Sequence, residues 1–179
     1  RNMILSTERL SLISVNEFRD VDALTDALWE IHSDTRTYSH RPDLVMKQRS
    51  EAIQLRDQWT EDWQQKGRGY YAVSYQGEIV GFAGVRHYIL AGDAVLNTYY
   101  RFRPGAQGKG LAYEAVKAAL DASAQLGKEC IAIISPDNLP SVTLARRLGF
   151  RRSPDRDVSP EDQVYVLQNP RNEATANQL

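Results

Sequence analysis

The residues with the clearest chemical content are Gln107-Gly-Lys-Gly110-Leu-Ala112, a glycine-rich turn between a strand-like run and an alanine-rich helical pattern. Glycine lets backbone approach a ligand closely because no Cβ intervenes. The first turn of a helix leaves N–H groups without intrahelical acceptors, and the helix dipole adds positive character there. Together these make a seat for phosphate or pyrophosphate. A glycine cluster in this position is also an ordinary turn, and composition alone does not separate the two readings. Two named phosphate motifs are excluded. A P-loop needs four residues between its glycines and Ser or Thr after Gly-Lys, whereas Gly105 and Gly108 stand closer and Gly110 follows Lys109. A dinucleotide fingerprint needs a third glycine where Tyr113 stands.

Other chemistry-bearing residues are sparse. His32, His40 and His87 are too scattered to suggest a metal site, and none is expected. Cys130 is the one cysteine, so no internal disulfide forms. It lies in the apolar run Cys130-Ile-Ala-Ile-Ile134 and reads as a small buried hydrophobe rather than a nucleophile.

The whole chain bounds the rest. Its 179 residues suit one domain, 1–179, with 170–179 as a frayed tail. Hydrophobic residues at 42% and charged residues at 25% are ordinary for a globular protein. A formal net charge of -1, with both signs mixed along the chain, leaves no footprint for nucleic-acid binding. No apolar run suits a membrane span and no signal-peptide pattern is read, so a reducing cytoplasm is the expected compartment.

Elements must position the glycine turn. Met3 to Ile13 alternates as a strand. Val15-Asn16-Glu17 opens a helix whose buried face is Phe18, Val21, Leu24, Leu28 and Ile31. The polar connection from Ser33 to Val45 borders a cleft. A second helix runs from about Lys47 to Gln65, with Ile53, Leu55, Trp59 and Trp63 on its apolar side. Tyr70–Tyr75 and Ile79–Tyr88 form a hairpin, followed by the strand Ala94–Phe102. Gly81 and Gly84 mark a bulge or close packing. The helix after the glycine turn spans about Lys109 to Leu126, and Gly127 caps it. Asn138 then reads as the N-cap of a short helix that buries Leu144 and Leu148. Two strands follow, from Phe150 and from Val164 to Leu167.

This order resembles the GCN5-related N-acetyltransferases, the GNAT superfamily. Gln107-Gly-Lys-Gly110-Leu-Ala112 matches their pyrophosphate motif, Gln/Arg-x-x-Gly-x-Gly/Ala. Asn138-x-x-Ser141-x-x-Leu144-x-x-x-Leu148-Gly149-Phe150 and the opening Thr7-Glu-Arg-Leu-Ser-Leu12 are similar to the RimJ/RimL-like branch, which acetylates ribosomal-protein N-termini. The resemblance covers Leu5 to Leu167. It implies an α/β (α+β) fold: a mixed, mostly antiparallel sheet flanked by helices, whose splayed central strands hold acetyl-CoA as cosubstrate. It implies that backbone groups near Phe102 and Arg103 hold the pantetheine amides. The backbone from Gln107 through Gly108, Lys109, Gly110 and Leu111 to Ala112 then holds the pyrophosphate. Asn138 and Ser141 border the pantetheine and thiol, and both are the catalytic candidates.

Acetyl transfer needs a neutral amine, an oxyanion donor and a proton for the leaving thiolate. A lysine amine costs about 4.6 kcal/mol to neutralise at pH 7, and a peptide α-amine only about 1 kcal/mol. Many relatives carry Glu as base where Asn97 stands here. Glu78 is an alternative carboxylate, although its hairpin turn suits a structural or solvated role better. Many relatives also carry an acid tyrosine where Ala145 stands, which leaves Ser141 as the hydroxyl near the thiol. Asn97, Tyr99 and Arg86 are the acceptor-pocket candidates. The expected activity is transfer to a primary amine by direct attack, with a peptide α-amine favoured by the branch. A small amine (polyamine, amino acid or antibiotic) is the alternative, as is a silent acyl-CoA-binding module motivated by Asn97 and Ala145. The expected partner is that amine, with no nucleic acid or membrane, and the chain is expected as monomer or homodimer.

Overall fold

In a computed structural model of the chain, residues 3–168 are described; the expected tail, 170–179, lies outside the described residues. The first segment is two strands rather than one. β1 (Ile4–Ser6) and β2 (Leu10–Ser14) pair antiparallel around a turn at Thr7-Glu8-Arg9, closed by the Thr7 amide on the Leu10 carbonyl. α1 (Val21–His32) begins later than its periodicity suggests. Asp20 accepts from the Ala23 amide at 3.0 Å and sets the helix start there, which leaves Val21 exposed while Val15 packs in the core.

The polar connection folds into two short 3-10 turns, Thr35–Tyr38 and Pro42–Leu44. α2 (Arg49–Lys66) opens with Glu51 accepting from the Lys47 and Gln48 amides. Ala52, Trp59 and Trp63 form its buried stripe, and Ile53, placed on that side by spacing alone, is exposed. β3 (Tyr70–Tyr75), β4 (Glu78–Leu90) and β5 (Asp93–Phe102) run as an antiparallel meander. The register shifts between Val73 and Ser74, so the bulge falls beside Gly81. A Cβ on Gly81 would stand 2.6 Å from the Phe102 ring, which explains glycine there as close packing.

α3 (Leu111–Ser123) passes into a 3-10 turn, Ala124–Leu126, ending at Gly127. β6 (Cys130–Ile134), α4 (Leu139–Leu148), β7 (Phe150–Arg152) and β8 (Gln163–Leu167) complete the chain. Cys130 is buried, and burial pushes its thiol up to about 11, as suits a small hydrophobe. The eight strands form one sheet in the order β1-β2-β3-β4-β5-β6-β8-β7.

One junction in this sheet matters most. β4 and β5 stay paired from Gly81↔Phe102 to Leu90↔Asp93. β5 and β6 run parallel and meet only at Leu96↔Cys130 and Asn97↔Ile131, then part. The Leu96 amide donates to Glu129 on the β6 side, and the Arg103 amide donates to Val80 on the β4 side. Strand alternation therefore turns the backbone groups of Thr98, Tyr100 and Phe102 into the gap. The two faces are covered differently. Tyr99 contacts His32 of α1 and Trp59 of α2, whereas Tyr100 contacts Ser141 of α4.

Candidate active site

The gap between β5 and β6 opens into a cleft of ≈ 500 Å³. Of the residues singled out in the sequence, Tyr99, Phe102, Gln107, Gly108 and Gly110 line it. Leu111, Ala112, Asn138 and Ser141 line it as well. Leu144 and Leu148, expected on the buried side of α4, are half-buried and form its apolar wall.

Four of the predicted residues lie elsewhere. Arg103 and Lys109 border a second cavity of ≈ 530 Å³ behind the glycine turn. There Arg103 pairs with Glu30 at 2.8 Å and donates to the Ile79 carbonyl. Arg86 and Asn97 face each other across β4 and β5, under α2. Arg86 approaches Asp62 at 3.2 Å, a charge contact whose Nε–Oδ2 alignment falls outside hydrogen-bond geometry, with Nη2 at 3.3 Å from Oδ1. Asn97 lies close to the Tyr70 phenol, and its Oδ1 is buried without a partner. Glu78, the other carboxylate considered, is exposed at the edge of the second cavity.

The glycine turn has the geometry of an anion seat. Gly108 and Gly110 adopt φ of 78° and 76°, where L side chains are disfavoured. A Cβ on Gly108 would meet open space, and Gly110 caps α3 with no side chain to satisfy the first N–H groups. Gln107 Nε2 donates to the Phe102 carbonyl, fixing the turn to the end of β5. Arg9 braces it from outside: Nη1 donates to the Lys109 carbonyl and Nε to Glu114 Oε1, at 2.9 and 2.8 Å. Sequence reading missed this brace, because the partners are a hundred or more residues apart.

The other end of the cleft holds hydroxyls. The Tyr100 hydroxyl donates to Ser141 Oγ at 2.5 Å. Burial holds the Tyr100 phenol above its ordinary range, against the pull of Ser141 and Arg101, so it stays protonated at neutral pH. The Asn138 side chain caps α4 by accepting from the Ser141 amide at 3.4 Å, which fixes where Ser141 stands. Thr98 Oγ1, also on the cleft wall, is buried without a partner. Tyr100 was missed in the sequence, although alternation from Tyr99 places it on the α4 face.

The opposite wall comes from the Ser33–Val45 connection, as expected for a loop bordering a cleft: Arg36, Thr37, Ser39 and His40. His32 lies behind it, buried. Its Nδ1 faces the Leu28 carbonyl at 2.8 Å and so carries the proton. Burial lowers its pKa to about 4, so the ring is neutral and Nε2 accepts from the Tyr99 hydroxyl at 2.7 Å. Burial also lowers the His40 pKa, aided by Arg101 and Arg41 against Asp137. Among the described residues, no carboxylate lines the cleft and no cluster of His, Cys, Asp or Glu could hold a metal. No helix in them is long and apolar enough to cross a membrane.

The family model described as acetyltransferase (GNAT) domain matches residues 9–151. Among solved structures, an acetyltransferase from Agrobacterium tumefaciens is 25% identical, with a TM-score of 0.73 over 93% of this chain and 94% of that one. A Salmonella typhimurium acetyltransferase that modifies the N-terminal serine of a ribosomal subunit protein is 14% identical, with a TM-score of 0.68 over 93% and 99%. The microcin C7 self-immunity acetyltransferase MccE, in complex with acetyl-CoA and AMP, is 18% identical, with a TM-score of 0.61 over 89% and 92%. The chain belongs to the GNAT acetyltransferases. It is an N-acetyltransferase that uses acetyl-CoA and acts on an amine.

Proposed function

We propose that the acceptor is the α-amine of a protein or peptide N-terminus, which directly attacks the thioester carbonyl of acetyl-CoA held between β5 and β6. The observation that carries this reading is a cleft without a carboxylate base but with a protonated hydroxyl pair at its centre. An α-amine costs only about 1 kcal/mol to deprotonate at pH 7, so it suits such a site far better than a lysine or polyamine amine. The Arg101 guanidinium on the cleft wall raises the cost of an ammonium further. The N-terminal serine acceptor of the Salmonella neighbour points the same way.

The site fits acetyl-CoA on three observations. The turn has two left-handed glycines with open space in front of Gly108. The α3 N-terminus lacks a side-chain cap. Thr98 Oγ1 is buried without a partner, and β5 has no β6 partner beyond Asn97↔Ile131. Gln107 through Ala112 then holds the pyrophosphate by backbone N–H groups. Thr98, Tyr100 and Phe102 hold the pantetheine amides by strand-like pairing. The acetyl thioester supplies an activated acyl group. Ser141 donates its proton to the departing sulfur, Tyr100 reprotonates Ser141, and the proton released by the attacking amine passes to solvent, from which Tyr100 is reprotonated. Asn138 positions Ser141, and Tyr99 forms the acceptor-side floor. Lys109 and Arg103 shape the turn from behind it.

Free-CoA release with a panel of N-terminal peptides, Nα-blocked peptides carrying lysine, and small amines tests the reading. Turnover confined to free α-amines of peptides supports it. Turnover of small amines with none on peptides overturns it.

A further inference from the structure

The acceptor wall contains a charge that nothing in the fold balances. Arg101 lies on the face of β5 opposite Tyr100 and lines the cleft. Its Nε donates to the Tyr99 hydroxyl at 3.1 Å, Nη1 donates to the Thr37 carbonyl, and the guanidinium stacks 3.5 Å from the Tyr38 ring centroid. Among the described residues it makes no salt bridge, and Nη2 has no hydrogen-bond partner. Of the other cleft arginines, Arg36 grips Asp34 through Nε and Nη2, and Arg147 is exposed to solvent over the Tyr113 ring on the α3–α4 side.

We propose that Arg101 binds a carboxylate of the acceptor, so that the amine acetylated here carries an acidic group close to the reacting nitrogen. In a peptide that group is an acidic side chain just after the N-terminus; in a small amine it is the molecule's own carboxylate. The inference rests on the cleft being the acyl-transfer site.

Three arguments carry it. The guanidinium is held in place before any ligand arrives, by two hydrogen bonds and a stacked ring, so little ordering entropy is lost when Nη2 binds. Its charge is half-buried and uncompensated, which is costly unless a counter-ion completes it. A purely structural pin between β5 and Thr37 needs only a neutral donor. Finally, the cleft lining holds no acid that could compete for it or attract a polycation.

The test compares matched acceptors on the wild type, Arg101→Gln and Arg101→Lys. One arm uses peptides beginning Ser-Asp or Ser-Asn; the other uses β-alanine or β-alaninamide; spermidine is the cationic control. The expected result is a preference of about tenfold or more in kcat/KM for the acidic member, expressed in KM. Arg101→Gln erases that preference by lowering kcat/KM for the acidic member much more than for the neutral member, and Arg101→Lys keeps part of it. CoA affinity, measured alongside, is expected to hold, and Tm reports the loss of the Thr37 and Tyr38 contacts. Equal use of acidic and neutral acceptors by the wild type overturns the proposal, as does preferred use of spermidine. Equal loss of both members in Arg101→Gln also overturns it and marks Arg101 as a loop pin. Acid preference seen only in the small-amine arm keeps Arg101 and overturns the peptide reading instead.

Discussion

The Tyr100 hydroxyl meets Ser141 Oγ at 2.5 Å, joining β5 to the first turn of α4 where the central strands part. Ala145, one helical turn further along α4, lines the same cleft without a hydroxyl to offer. The hydroxyl comes from the strand instead of the helix.

The pair is expected to act as a unit. Tyr100→Phe and Ser141→Ala should each lower kcat by roughly a hundredfold, and the double variant should be little worse than either. CoA affinity should stay within a few-fold. Additive losses in steady-state kinetics would separate the two roles.

Gly108 carries the second prediction. Valine there meets a positive φ that costs roughly 1–2 kcal/mol and places its side chain in the open space of the anion seat. Calorimetry should show CoA affinity reduced at least about tenfold. Gly105→Ala, with no positive φ and nothing near its Cβ, should bind CoA as the wild type does.

Glu114 carries the third. Burial pushes its pKa up, but the Thr7 hydroxyl, the Arg9 amide and the Arg9 guanidinium outweigh it and hold the carboxyl below its ordinary range. A depressed folded pKa gives stability that is full above the unfolded value, about 4.3, and is lost as pH falls through the folded one. Glu114→Gln should therefore lower Tm at pH 7, and the gap to the wild type should narrow in acid. Its CoA affinity should also fall, because Arg9 loses the partner that aims it at the Lys109 carbonyl.

His32 sets the fourth. Its folded pKa, about 4, lies below the unfolded 6.5, so the unfolded state takes up the proton first. Stability is then complete above pH 6.5 and declines as pH falls toward 4. Between pH 7.5 and pH 5 the loss should be about 2 kcal/mol in urea melts. His32→Gln should be less stable at pH 7.5 but flatter over that range. An equal slope in the two proteins would assign the acid sensitivity to other groups.

Much of this is legible in the sequence. The glycine turn, the Asn138 cap and the element order rest on local spacing, and local spacing survives folding. The start of α1 was misjudged because apolar periodicity runs back to Phe18, whereas Asp20 decides where the backbone turns helical. Strand alternation correctly put Asn97 and Tyr99 on one face. It could not show that Arg86 and Asn97 sit over Asp62 and Tyr70, since α2 supplies those contacts. The Arg9–Glu114 brace and the Tyr100–Ser141 pair are long-range contacts with no periodic trace.

The central claim is that CoA lies in the gap between β5 and β6, with its pyrophosphate on the glycine turn. Hydrogen–deuterium exchange with and without CoA measures this directly. Protection is predicted for peptides covering 98–102 and 107–113, and not for Glu30 to Asp34 or Tyr75 to Glu78 around the second cavity. Saturating CoA with no protection at 107–113 would contradict the account.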